Sequence, residues 1–229
     1  MGVLDLAIDP TTYPPTGSQE EEVVLFSAGS DRSIRRWAIN TNLTSAKEIE
    51  SENAILAHET SVYNLCFDSD SDLWTASADG TVKCLSRSRE WAVDTTLEHG
   101  DYVRAVAVDE VGGWVVSAGR DEDVKVWDKS SGELKFVLEG HFEEVTGLVI
   151  VGAAGGNQRE RWIVSVGIDA TIRRWRMEAG ELGKAVREVE DERNGVVKEK
   201  EVVDETQGNP FGIDEEEQRV LDELMNDSE

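Results

Sequence analysis

One thirteen-residue pattern occurs four times in this chain: LFSAGSDRSIRRW, LWTASADGTVKCL, VVSAGRDEDVKVW and IVSVGIDATIRRW. Each copy has a Ser or Thr, an Asp four positions later, and a large apolar or aromatic residue six positions after that. The positions are Ser27, Asp31 and Trp37; Thr75, Asp79 and Leu85; Ser117, Asp121 and Trp127; Ser165, Asp169 and Trp175. The aspartates recur at intervals of 48, 42 and 48 residues. Constant spacing within a unit and near-constant spacing between units define an array, in which each unit buries its apolar face against the next.

Ahead of each copy lies a short alternating run: residues 3–9, 62–68, 103–109 and 145–151. Alternation bounded by polar or Gly-rich turns reads as strand. Four residues before three of these runs stands a histidine, His58, His99 or His141, and these are all the histidines the chain has. With Gly140-His141 ahead of a first strand and Trp127-Asp128 closing a third, residues 2 to 177 resemble the WD-repeat family. The resemblance implies an all-β propeller of four recognisable four-stranded blades at residues 1–177, forming a partial or open ring. It further implies a buried hydrogen-bond chain of His, Ser/Thr, Asp and Trp in each blade. Imidazole can donate at one nitrogen and accept at the other, and hydroxyl, carboxylate and indole N–H complete the chain. Blades three and four hold the full set: His99, Ser117, Asp121 and Trp127; His141, Ser165, Asp169 and Trp175. Blade two has His58, Thr75 and Asp79 but Leu85 in place of the indole. Blade one has Ser27, Asp31 and Trp37 but no histidine, as expected of a repeat that begins inside its first strand.

Ser, His and Asp together also suggest a hydrolase. A catalytic triad, however, is placed once, with an exposed nucleophile and an oxyanion hole, whereas this set repeats at the period of the array. No catalytic residue is assigned. Asp68-Ser-Asp-Ser-Asp72 imitates the start of a calcium loop but has Leu73 where Gly is needed and Asp79 where Glu is needed, so an acidic hairpin turn is expected. Gly152-Ala-Ala-Gly-Gly156 lacks the Lys and following helix of a phosphate loop and reads as a hairpin connection. Cys66 and Cys84 have no metal-site spacing and are expected to pack in the core, which suits a reducing cytoplasmic or nuclear compartment. No metal or cofactor is assigned.

A net charge of −25, from 48 acidic and 23 basic residues, repels phosphate backbones and anionic lipid surfaces. No stretch of ~18 apolar residues is present, and the first residues have no basic flank, so neither secretion nor membrane insertion is expected. The expected partners are proteins. Candidate contacts are Arg36 and Arg174, each within Ile-Arg-Arg-Trp, Arg120 beside Asp121, and the loop aromatics Tyr102 and Phe142, because Arg and aromatics are common interface anchors. Residues 178–229 carry 18 acidic and 6 basic side chains and read as an acidic, largely flexible tail. Within it, residues 184–190 or 196–203 are candidates for the outer strand of blade four. A short helix near 213–226 has Val220, Leu221, Leu224 and Met225 on one face, making Leu221 and Leu224 further docking candidates. The expected function is a non-catalytic protein-interaction scaffold that belongs to a larger complex, self-associates or completes its ring through its blade edges. The alternatives are the non-catalytic subunit of a modifying enzyme and a truncated propeller without independent function.

Overall fold

The computed structural model of the chain describes residues 2–12, 22–40, 45–49, 54–152 and 160–193. Within them the four repeats form four antiparallel sheets in chain order. Blade one is β1 (Val3–Ile8), β2 (Glu22–Gly29), β3 (Ile34–Asn40) and β4 (Ala46–Ile49), and blade two is β5 (Val62–Phe67), β6 (Leu73–Ser77), β7 (Thr81–Ser86) and β8 (Ala92–Glu98). Blade three is β9 (Val103–Asp109), β10 (Trp114–Gly119), β11 (Val124–Asp128) and β12 (Leu134–Leu138). Blade four comprises β13 (Val145–Gly152), β14 (Arg161–Gly167) and β15 (Ile172–Arg176), three strands among the described residues. The first strands β1, β5, β9 and β13 adjoin one another in succession, giving the all-β arc of an unclosed propeller.

One expectation is corrected. Residues 184–190 do not supply an outer strand: they lie in helix α1 (Ala179–Arg193), which packs against β12 and β15. Leu182 is fully buried there, and Ala185 and Val186 join the same apolar cluster, a helical i, i+3, i+4 stripe. The other candidate strand at 196–203 and the helix near 213–226, with Leu221 and Leu224, lie outside the described residues. No described helix is long and apolar enough to cross a membrane.

The blades are superimposable in register. Ser27 pairs with Arg35, Thr75 with Lys83, Ser117 with Lys125 and Ser165 with Arg173. The residue after each conserved-spacing aspartate adopts a left-handed conformation: Arg32 (φ 64°), Gly80 (φ 83°), Glu122 (φ 71°) and Ala170 (φ 60°). That turn reverses the chain tightly enough to return a cation opposite the Ser or Thr.

Three apolar clusters fill the three joints between consecutive blades. The first joint holds Phe26, Ala28 and Ile34 against Leu65 and Phe67, the second Trp74, Ala76 and Val82 against Val106 and Val108, the third Val116, Ala118 and Val124 against Leu148 and Ile150. Every joint thus uses the same positions of the unit, each fully buried aliphatic side chain being worth roughly 1.5–3 kcal/mol. The ends of the arc carry the same positions uncovered. Leu6 and Ile8, the counterparts of Leu65 and Phe67, are 55% and 48% exposed. Ile172, the counterpart of the fully buried Ile34, Val82 and Val124, is 75% exposed.

Candidate functional site

The repeated polar residues converge inside the blades. In blade three His99 bridges Ser117 Oγ (2.8 Å from Nδ1) and Asp121 Oδ1 (2.9 Å from Nε2), and the Trp127 indole N–H donates to Ser117 Oγ at 2.7 Å. An ionised carboxylate only accepts, so the ring nitrogen facing Asp121 carries the proton and the other accepts from the hydroxyl. In blade two His58 spans Thr75 Oγ1 (2.7 Å) and Asp79 Oδ2 (2.9 Å). Where Ser117 meets an indole donor, Thr75 instead meets the Lys83 carbonyl at 3.1 Å, and Leu85 is fully buried in an apolar cluster with Trp91. Blade four joins His141 to Ser165 (2.6 Å) and Asp169 (2.9 Å), but Trp175 meets the His141 ring edge-on, with centroids 6.3 Å apart, instead of donating to Ser165. Blade one keeps the Trp37 to Ser27 hydrogen bond at 2.8 Å, and Asp31 accepts from Ser33 Oγ at 2.7 Å.

These carboxylates are held ionised. Burial alone would raise Asp79, but donors from His58, Thr81 and the Glu59 N–H overcome it and keep its carboxyl well below the usual range. Asp169 is lowered in the same way, burial being outweighed by the Thr171 and Phe142 N–H groups and by Thr171 and His141. For Asp121 burial is opposed by His99 and Lys125, and the net shift is again downward. Because Thr75, Ser117 and Ser165 are fully buried, none of these hydroxyls can reach a substrate.

Two features of the site escaped the sequence reading. A hydroxyl two residues after the Asp, Thr81 or Thr171, bonds that carboxylate at 2.7 and 2.8 Å. A cation opposite the Ser or Thr ties down the histidine-bearing segment: Lys83 Nζ donates to the Ala57 carbonyl at 2.8 Å and Lys125 Nζ to the His99 carbonyl at 2.6 Å. Both were visible as repeated residue types at constant offsets.

A third feature links the blades. The aspartate ending each first strand accepts from a cation of the next blade: Asp9 from Arg87 (2.6 Å), Asp68 from Lys129 (3.0 Å) and Asp109 from Arg161 (2.8 Å). The fourth counterpart is Val151. Asp68 also accepts from the Asp70 and Asp72 N–H groups (3.0 and 2.9 Å) and the Trp74 indole (3.0 Å), which makes the acidic stretch a hairpin turn. Asp68, Asp72 and Cys84 approach one another within 4.8 Å, but burial and then Asp72 push the Cys84 thiol up to about 12, leaving it protonated near neutral pH. Cys84 lies in an apolar cluster, with Cys66 packed beside it.

Of the candidate contact residues, Tyr102, Arg120, Phe142 and Arg174 lie at the surface. Tyr102 is exposed with the Arg120 guanidinium 5.0 Å from its ring centroid, and Phe142, 73% exposed, has Arg173 at 5.5 Å. Both aromatics stand where first strands begin, so they share one end of the blades. Arg174 is exposed over Trp162 at 5.1 Å, on the same uncovered face as Ile172, while Arg36 is half-buried.

An open arc of antiparallel blades, three of them four-stranded and the last with three described strands, each carrying the same polar positions inside it, defines a β-propeller repeat array. The family model for the WD domain, G-beta repeat matches residues 50–85 and 92–128, which contain most of blades two and three. Residues 50–128 therefore carry repeats of the WD type. It is 37% identical over 134 residues to an uncharacterized WD repeat-containing protein of Schizosaccharomyces pombe, covering 55% of this chain and 34% of that protein. It is 26% identical over 125 residues to nuclear distribution protein nudF of Aspergillus niger, covering 55% of this chain and 27% of that one. Against nudF of Emericella nidulans it is 32% identical over 99 residues, 42% of this chain and 22% of the relative. The crystal structure of the WD40 β-propeller domain of Doa1 matches with a TM-score of 0.59 and 23% identity, over 78% of this chain and 52% of that one. The chain therefore spans about a third or less of the length of these curated relatives, and about half of the solved propeller.

Proposed function

We propose that the chain is a non-catalytic protein-interaction scaffold whose end faces are covered by further blade-like structure from a second polypeptide. The observation that carries this reading is the 75% exposure of Ile172, whose counterparts Ile34, Val82 and Val124 are fully buried in the three internal joints, together with the exposure of Leu6 and Ile8, whose counterparts there are buried or half-buried. An apolar face of this kind, left against water, marks an association surface. The buried state of the Ser27, Thr75, Ser117 and Ser165 hydroxyls supports a structural role for the Ser, His and Asp sets. Tyr102 with Arg120, and Phe142 with Arg173, provide aromatic and guanidinium anchors for a protein partner on the shared end of the blades. The free thiols of Cys84, buried, and Cys66, half-buried, suit a reducing cytoplasmic or nuclear setting.

Light scattering coupled to size exclusion tests the association. The chain is expected to form assemblies larger than one chain at micromolar concentration, and Ile172→Glu is expected to disperse them. A monodisperse single chain over a hundredfold concentration range overturns the reading. For the loop surface, Tyr102→Ala/Phe142→Ala is expected to lose partners that the parent chain captures while keeping its thermal stability.

A further inference from the structure

The hairpin turn between β5 and β6 exposes Ser69 at its tip, and from there Ser69 reaches across to blade three. Its N–H donates to Glu110 Oε1 at 2.9 Å and its hydroxyl to Glu110 Oε2 at 2.8 Å, so a single residue of blade two grips a carboxylate of blade three with both its donors. Glu110 is anionic there. Burial would raise its carboxyl, but the Ser69 N–H, the Ser69 hydroxyl and Lys129 outweigh it and hold it below the usual range. The Lys129 ammonium is shared among Glu110 (3.0 Å), the buried Asp68 (3.0 Å) and Asp70 (3.8 Å). Arg87, the other cation on this turn, is committed to Asp9 and to the Ser71 carbonyl.

We propose that Ser69 is a phosphorylation site and that its modification loosens the seam between blades two and three. The γ-phosphoryl group of ATP passes to Ser69 Oγ, its bond to the β–γ bridging oxygen breaks, ADP leaves, and the hydroxyl proton goes to the kinase's catalytic base. The product has lost the proton that Oγ gives to Glu110, and it sets about −1.5 to −2 charges against an ionised carboxylate. Lys129 can answer that charge by leaving Glu110 or the buried Asp68, and either move opens the contact between the blades. The place singles out this hydroxyl. Ser71 is half-buried at φ 65°, with its N–H on the Asp68 carbonyl and its own carbonyl on Arg87. The residues that follow the first strand at the same point in the other blades are Pro10, Glu110 and Gly152, none with a hydroxyl. Asp70, one residue on, has a side chain 78% exposed, and with Glu110 it surrounds the acceptor with anions that complement a kinase whose substrate cleft is basic.

Access and effect are tested separately on the full chain. Incubation with an acid-directed serine/threonine kinase and MgATP, followed by mass-spectrometric mapping, is expected to find phosphate on Ser69. Ser71→Ala is expected to be modified as the parent is, and Ser69→Ala to stay unmodified in that peptide. A chain with phosphoserine genetically encoded at position 69 isolates the effect on the seam. Its Tm is expected to fall by about 3–8 °C, and amide exchange in β5 and β9 to quicken roughly tenfold while β2 is unchanged. Glu110 is exposed, so Glu110→Gln leaves the fold intact. In that variant the same phosphate is expected to lower Tm by less than half as much, a relief that added charge without a facing carboxylate does not give. A folded chain left unmodified at Ser69, a phosphoserine chain whose Tm and exchange are unchanged or whose Tm rises, or an equal loss in Glu110→Gln overturns the proposal. None of these readouts depends on whether the end faces of the arc are covered.

Discussion

At the scale of single residues, the stability of each blade rests on a few buried polar atoms whose partners are fully specified. Removing an imidazole strands a hydroxyl and a carboxylate and leaves a void, so His99→Ala is expected to cost roughly 2–4 kcal/mol in denaturant unfolding. The same chemistry sets the acid response. Asp79, Asp121 and Asp169 have folded pKa values below the unfolded value of about 3.9, so their stabilisation is complete above that pH and is lost as pH falls through the folded values. Asp109 and Asp123, raised by burial, act in the opposite sense. Denaturation midpoints are therefore expected to fall steeply below about pH 4, and Asp79→Asn is expected to flatten that fall. The left-handed turn residues make a separate contribution. Glu122 is exposed at φ 71°, where an L-residue is strained by ~1–2 kcal/mol, and Glu122→Gly is expected to raise stability by about 0.5–1 kcal/mol in the same assay.

At the scale of elements, the cross-blade ion pairs and α1 do what the strand pattern does not. Asp109 is buried and Arg161 is its cation, so Arg161→Met strands a carboxylate at a cost of about 3–5 kcal/mol. Because Asp109 is already raised, that loss is expected to shrink as the pH is lowered and the carboxyl takes up a proton, which paired pH 7 and pH 5 unfolding curves would show. The strands were legible from sequence because alternation and the Ser/Thr-to-Asp spacing both reflect contacts within one blade. Asp9, Asp68 and Asp109 were visible at the ends of the first runs, but their partners lie 78, 61 and 52 residues onward, beyond the reach of any local pattern. The α1 segment failed for another reason. Gly180, Gly183 and a run of charges mask the Leu182, Ala185, Val186 stripe, and the helix is held by its packing on β12 and β15 more than by its own propensity. Trp175 shows the limit of reading by analogy: it has the right residue at the right spacing, yet sits against the histidine ring and makes no bond to Ser165.

For the whole molecule, stability is a sum over units and joints. Blades two and three have neighbours on both faces, whereas blades one and four have one covered face each. Amide exchange is expected to be slowest in β6 and β10 and fastest in β1 and β15, with opening proceeding inward from the ends. Each joint pairs unlike surfaces, the first strand of one unit meeting the second and third strands of the unit before it, so addition of blades is directional. The aspartate ladder follows that direction and stops at Val151. The uncovered face of blade four presents Ile172 and Arg174 where the earlier joints also have an aspartate–cation pair, so a segment docked there is expected to be held by apolar contact and by the Arg174 guanidinium, and to respond to salt through that guanidinium alone.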